Sequence, residues 1–282
     1  MKNKIAIVTG TSSGFGLSTS IELARKGFTV VAAMRNINKK SDLLQEAKKY
    51  DVESKIVICE LDVTNENSIL AFHERVIATF GRVDVLVNNA GYAGAGFVEE
   101  ISMDEYRQQF ETNVFGVIAV TKAFLPVMRK QNHGCIINVS SISGRVAFPG
   151  LSPYIASKHA IEGWSESLRL EMQPFGVKVV LIEPGSYKTN IWSTGKQVAA
   201  KSLHSHSPYQ NYMKKIEKYI TEGENSFGDP LEVARKIAGI AGMETPDIRY
   251  PIGRGVKASI FLRDFLPWRL WEKIIITKLF QK

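Results

Sequence analysis

Lys4-Ile-Ala-Ile-Val-Thr9-Gly10-Thr-Ser-Ser-Gly14-Phe-Gly16 is the stretch on which the fold turns. A short run made almost wholly of Ile, Val and Ala reads as a strand covered on both faces. The glycines that follow permit a tight turn, and Phe15–Lys26 continues at helical spacing. Strand, glycine-rich turn and helix in this order bring backbone close to a pyrophosphate at a helix N-terminus. The spacing Gly-x3-Gly-x-Gly departs from the common dinucleotide fingerprint Gly-x-Gly-x-x-Gly. Taken alone, the turn therefore leaves a ligand-free reading open.

The same alternation recurs along the chain. Apolar runs at Thr29–Met34, Lys55–Leu61, Val83–Asn88, Cys135–Ser140 and Val177–Glu183 are separated by helical patterns at Glu66–Phe80, Asp104–Lys130 and Pro153–Pro174. Thr64 or Asn65 offers an N-cap before Glu66, and Gly81 a stop after Phe80. Repeated strand–helix–strand units predict an α/β fold: one doubly wound Rossmann-type domain on a mostly parallel sheet of about seven strands. The expected domain covers residues 1–255. Within it, Ser186–Gly228 breaks the rhythm with mixed polarity, weak periodicity and a Ser/His-rich patch at Ser202–Pro208. It reads as a long irregular insertion of the kind that forms a lid or binding loop, with Tyr187, Trp192, Tyr209, Tyr212 and Met213 as a pocket cover. Asp229-Pro230 restarts a regular helix. Residues 256–282 form an extension rich in aromatic and basic residues, expected to pack on the domain.

The composition is globular, with 44% apolar and 23% charged residues. Lys and Arg number 36 against 28 Asp and Glu, a formal charge of +8. The excess is scattered and no nucleic-acid motif accompanies it, so a nucleic-acid partner is not expected. Cys59 and Cys135 lie inside apolar runs without metal-ligand spacing, as buried thiols in a reducing compartment do. Met-Lys-Asn-Lys leads straight into a strand, and no apolar stretch reaches the ~18 residues of a spanning helix. A cytoplasmic protein with no metal site is the expectation.

Chemistry concentrates in Pro153-Tyr154-Ile-Ala-Ser-Lys158. On a helix, the i, i+4 spacing stacks Tyr154 and Lys158 on one face. A neighbouring ammonium is expected to pull the phenol's pKa from ~10 toward the working range, giving a tuned proton donor. Ser140-Ser141 ends the fifth strand run, and the thirteen-residue offset to Tyr154 favours Ser141. Val87-Asn-Asn89-Ala-Gly91 ends the fourth run, small and polar where a ribose and nicotinamide could lie. His159 adjoins Lys158 but is turned about 100° around the helix, so a structural role is expected.

Several separated motifs in this order, from Thr9 to Thr189, closely resemble the short-chain dehydrogenase/reductase family, and the layout continues to about residue 255. The resemblance implies a nicotinamide cofactor held by Gly10, Ser12, Ser13, Gly14, Phe15, Gly16, Asp62, Val63, Asn89, Ala90, Gly91, Pro184, Gly185 and Thr189, with Tyr154 and Lys158 also touching it. It implies that Tyr154 exchanges the proton, Lys158 holds the ribose, Ser141 polarises a carbonyl, and Asn113 holds a water in a proton relay. The small-molecule substrate is then a carbonyl/alcohol pair. Family members commonly pair through the helices at Asp104–Lys130 and Pro153–Pro174, which implies a homodimer or homotetramer.

Cofactor choice has a physical argument. An NAD site usually places Asp or Glu roughly 20 residues past the glycines. Here Met34 stands in that place and Arg35 follows, so a 2′-phosphate meets no carboxylate and finds a fork of donors. NADP(H) is expected over NAD(H). The tail, with Phe261, Phe265, Trp268, Trp271 and Phe280, is similar to the branch containing 17β-hydroxysteroid and retinol dehydrogenases, which implies a lipophilic substrate. Its aromatics close the pocket or pack on the core; alternatively, the basic tail lies on a membrane surface. Pro267 interrupts any single long amphipathic helix, which favours pocket closure or packing.

Overall fold

Alternate residues of each apolar run face opposite sides of a sheet, so a run can be apolar throughout only if helices cover both sides. The computed structural model, which describes residues 4–192 and 195–280, has this arrangement. Its strands are β1 (Ile5–Thr9), β2 (Thr29–Met34), β3 (Ile56–Glu60), β4 (Val85–Asn88), β5 (Ala93–Ala95), β6 (Gly134–Val139), β7 (Val177–Pro184), β8 (Lys196–Val198) and β9 (Arg249–Ile252). Seven of them form one sheet in the order β3-β2-β1-β4-β6-β7-β9, and every pairing is parallel. The order reverses direction between β1 and β4, which leaves a crevice at the carboxyl ends of those two strands.

The helices are α1 (Gly14–Arg25), α2 (Ser41–Lys49), α3 (Glu66–Phe80), α4 (Met103–Phe110), α5 (Gly116–Gln131), α6 (Ser152–Met172), α7 (Gln210–Gly223), α8 (Pro230–Ile240), α9 (Val256–Phe265) and α10 (Trp268–Phe280). Ala6 and Val8 of β1 enter one core with Ile21 of α1 and Ile237 of α8. Ile5 and Ile7 of the same strand enter the other, with Phe72 of α3 and Phe124 of α5. The end signals act as expected. Asn65 accepts a hydrogen bond from Ser68 N at 2.9 Å, Gly81 closes α3 at φ +65°, and Asp229 caps α8 through Leu231 N.

Three features differ from the sequence expectation. First, Ser186–Gly228 is not irregular throughout: it contains β8, which pairs in parallel with β5, and the 14-residue helix α7. Met213, Ile216 and Ile220 recur at i, i+3 and i+7 among polar residues, a period masked by the Ser/His-rich stretch before them. Second, Tyr187 is not a pocket cover. It is 1% exposed, packs edge-on against Phe15 at 5.5 Å and donates to Glu232 Oε2 at 2.9 Å. Tyr209 does lie at the surface, stacked on Phe97 at 4.4 Å, and the Trp192 side chain is outside the described residues. Third, Met103–Gln131 is long and apolar enough by composition to cross a membrane. Folded here, it buries Val114, Val120, Phe124 and Met128 against the rest of the protein, as a core helix does.

Candidate active site

Gly10 and Gly14 adopt φ +70° and +56°, a region costly for any residue with a Cβ. Gly16 has a different reason: a Cβ there would collide with the Gly10 carbonyl oxygen and with the Asn89 amide. A network across the sheet ties the turn down. Asn89 Nδ2 donates to the carbonyls of Thr9 and Gly10 at 2.8 and 3.1 Å, while the N–H groups of Asn89 and Ala90 both donate to Thr9 Oγ1 at 3.0 Å. Asn89 and Ala90 thus hold the end of β4 against the turn after β1. Ser12, Ser13 and Phe15 line the same turn, half-buried. Ser13 stands at the N-cap of α1 without a side-chain cap bond, and the first turn of α1 carries no acid. A helix N-terminus left uncapped and free of acids is suited to an anion.

The other residues expected at this end surround it. A Cβ on Gly14 would lie 3.5 Å from Thr189, so the segment after β7 reaches the turn. Gly185 follows Pro184 and donates to Ile252 O at 2.9 Å. Gly91 lies against Asn113, and Val63 packs on Gly116 at the start of α5. Asp62, two residues beyond β3, accepts from Thr64 N and Thr64 Oγ1 at 3.0 and 2.7 Å, so it shapes a turn. Arg35 is exposed just beyond β2, and Met34 is 2% exposed in the core. These residues fit a dinucleotide: an acid-free helix end, two left-handed glycines, a third with no room for a side chain, and an exposed cation just beyond β2.

At the reacting end, Tyr154 and Lys158 lie on one face of α6, 6% and 8% exposed. Lys158 Nζ lies 5.6 Å from the centre of the Tyr154 ring and donates to the Val139 carbonyl at 2.7 Å. Ser141 accepts from Ser143 N at 3.1 Å, and its hydroxyl lies close enough to the Tyr154 phenol to favour the phenolate. Ser140 instead points its hydroxyl toward Gly144 and Glu162 and has no hydrogen-bond partner among the described residues. The geometry therefore sets Ser141, not Ser140, beside the phenol.

The electrostatics correct one expectation. Tyr154 lies above its ordinary range, because burial outweighs the Ser141 hydroxyl beside it. Lys158 does not pull it down, since burial lowers Lys158 itself to about 8, against the opposing charge of Glu162 one turn along. A phenol in this setting is protonated at neutral pH.

Asn113 sits in a single π-helical turn, Glu111–Phe115, between α4 and α5. Its Nδ2 donates to Tyr92 O at 3.0 Å and Ser157 Oγ at 3.3 Å, and its Oδ1 accepts from Tyr92 N at 3.1 Å. One extra residue in the helix aims this amide at α6, a common use of π-bulges. His159 bonds the Ile155 carbonyl and stays exposed, a structural role.

Sequence reasoning missed several residues here. Thr9 clasps β4, and buried Gln109 accepts from Gly94 N at 2.6 Å while donating to Tyr92 O. Asn138 pairs in register with Asn88, and a chain of amide and hydroxyl bonds runs Thr121–Asn88–Asn138–Ser165. Glu162 and Glu183 are buried behind Lys158 with Arg249 and Arg145. Burial, then Glu162, push the Glu183 carboxyl up. A polar residue inside an apolar strand, such as Asn138 or Glu183, was the available signal.

Residues 4–199 match the family model described as short chain dehydrogenase. The chain is 50% identical over 281 residues to an uncharacterized oxidoreductase, YusZ of Bacillus subtilis, covering 99% of this chain and 100% of that one. It is 35% identical over 253 residues to a 3-ketodihydrosphingosine reductase of Bacteroides thetaiotaomicron, covering 90% and 89%. Among solved structures, a short-chain dehydrogenase from Streptomyces avermitilis superposes with a TM-score of 0.81 at 33% identity, over 96% and 97% of the two chains. ElxO with NADP bound superposes at 0.73 and 26% identity, over 88% and 96%. The family model covers well over half of the chain, and with the parallel sheet that carries these motifs it makes this protein a member of the short-chain dehydrogenase family of oxidoreductases.

Proposed function

We propose that the protein is an NADP(H)-dependent oxidoreductase that interconverts a carbonyl and an alcohol on a lipophilic small molecule. The observation that carries this reading is the buried Tyr154–Lys158 face beside Ser141, at the carboxyl edge of the sheet that also carries the glycine turn. When bound, the nicotinamide supplies or accepts the hydride. The chain's own residues do the rest. Tyr154, protonated at neutral pH, donates to the carbonyl oxygen in reduction and takes the proton back in oxidation. The Ser141 hydroxyl, held by Ser143 N, orients and polarises that oxygen. Lys158 contributes positive charge and a ribose contact, and Asn113 supports a water between Lys158 and solvent.

Arg35, exposed beyond β2 with no carboxylate at position 34, supports NADP(H) over NAD(H). The NADP-bound neighbour agrees with that preference. The aromatic α9–α10 extension and the reductase relative named for a sphingoid ketone support a lipophilic substrate, in the manner of the 17β-hydroxysteroid and retinol branch. We read residues 1–255 as the Rossmann-type domain and 256–282 as an extension docked on it. A homodimer or homotetramer fits the exposed Phe115 on the α4–α5 helix and Leu170 on α6.

The test is NADPH and NADH oxidation against a panel of long-chain and cyclic ketones and aldehydes, with Tyr154→Phe alongside. The expected result is turnover with NADPH, tighter binding of NADPH than NADH, and a ~10²–10⁴-fold loss in Tyr154→Phe with cofactor binding intact. Full activity in Tyr154→Phe ends the assignment. Cofactor binding without turnover on any carbonyl, in a protein with Ser141, Tyr154 and Lys158 intact, would favour a cofactor-sensing module or epimerase or dehydratase chemistry.

A further inference from the structure

We infer that the outer face of α9–α10 docks on an anionic lipid bilayer. Seventeen large hydrophobic side chains are exposed among the described residues, and seven of them fall within Phe261–Ile276. The inner face of the same helices is already used. Val256, Ile260 and Trp271 are buried against Val146, with Phe148 and Ile275 packed around them. Yet Phe265 is 73% exposed, Phe261 59%, Trp268 55% and Leu270 52%, with Ile274 and Ile276 further along. A helix apolar on both its packed and its open side is not explained by water as its neighbour.

Charge selects the partner. From Val256 to Phe280 the chain carries Lys257, Arg263, Arg269, Lys273 and Lys278 against Asp264 and Glu272. Asp264 is engaged internally, with Arg145 Nη2 at 2.9 Å. Arg263 lies 4.9 Å from the Trp268 ring, Phe261 and Phe265 pack ring to ring at 4.5 Å, and Lys257, Arg269 and Lys273 are exposed beside them. Aromatic and aliphatic side chains interleaved with exposed cations match an acyl–headgroup boundary with negative lipids. The bend at Pro267 serves this face: it lets α9 and α10 both lie on the protein while each keeps an outer side open.

Location adds weight. Val146 and Phe148, under the inner face, belong to the segment joining Ser141 to Tyr154. The docked face therefore lies over the reacting end. If the proposed lipophilic substrate is correct, it reaches the site from the bilayer, but docking itself does not depend on the reaction.

Flotation of the full-length protein with phosphatidylcholine vesicles, with and without about a quarter phosphatidylglycerol, tests the inference without any turnover. The expected result is partition onto the anionic vesicles that weakens with salt. Phe261→Ser/Phe265→Ser/Trp268→Ser should lower the partition coefficient about tenfold or more, and Arg269→Glu/Lys273→Glu by a similar factor. Both variants should retain wild-type cofactor affinity, which shows that they fold. Trp268 emission should shift to the blue with vesicles, a change missing in Trp268→Phe. Wild-type protein that stays with the vesicle-free control, or a triple-serine variant that floats equally well, overturns the inference. So does a triple-serine variant whose only change is dissociation of an oligomer, since the face would then pair copies of this chain.

Discussion

The glycine turn after β1 and the helices α7, α9 and α10 solve opposite problems. The turn is built from backbone at contact distance. Gly16 has no space for one methyl, and Asn89 and Thr9 lock strands that are some 80 residues apart in sequence. The α7 helix instead has no fully buried residue among those described, and the tail leaves seven large apolar side chains open. A ligand common to a whole family is met by a rigid backbone cradle. The α7, α9 and α10 helices instead present side chains with room to repack. Substitution should accordingly be tolerated in those helices and not in the turn.

The sharpest break of that comparison is Gly16→Ala. The added methyl must push the turn away from Gly10 and Asn89, a disruption of about 3 kcal/mol or more, and dinucleotide affinity should fall about a hundredfold in a titration of cofactor fluorescence. Unchanged affinity would mean that the cradle is not rigid.

Lys158→Met tests the reacting end. Its pKa falls from 10.5 to about 8 on burial, so between those values the unfolded chain holds a proton that the folded protein lacks. The stability of the wild type should rise with pH through that window, and the penalty is complete below about pH 8. The Met variant should therefore be inactive yet more stable at pH 7, on the order of 3 kcal/mol, with the gap closing near pH 10.5. Chemical denaturation at pH 7 and pH 10 measures it, and an equal gap at both would assign the effect to packing.

The smallest effect belongs to the adaptable side. A methyl added at Gly223 in α7 would meet only the Phe227 ring within 4 Å, at 3.7 Å, and the backbone there is already helical. Gly223→Ala should raise stability by about 0.4–1 kcal/mol with cofactor affinity unmoved. A large loss in either would show that α7 is as constrained as the glycine turn.

What was legible in the sequence follows the same division. The sheet could be read because six of its seven strands are runs apolar almost throughout, and the glycines, Ser141, Tyr154 and Lys158 because their chemistry tolerates few other residue types in that order. The α7 helix was missed because its apolar stripe is narrow and follows a polar stretch that hides its period. Tyr187 was misread because aromatic residues in a long insertion look alike whether they cover a pocket or enter the core; only Phe15 and Glu232, distant in sequence, decide it. The direction of the Tyr154 shift was misread for a related reason. Spacing reveals that a cation is near but not how deeply both groups are buried.

The Asn89 clasp has a consequence for how the protein is made. The carbonyls that it holds belong to Thr9 and Gly10, so the amino-terminal turn stays open until β4 has been synthesised and docked. A chain still emerging from the ribosome, or a fragment ending before residue 89, has every glycine of the turn and no closed cradle. Dinucleotide capture thereby reports that the first half of the sheet is assembled, and ligand present during synthesis selectively stabilises chains that have passed that point.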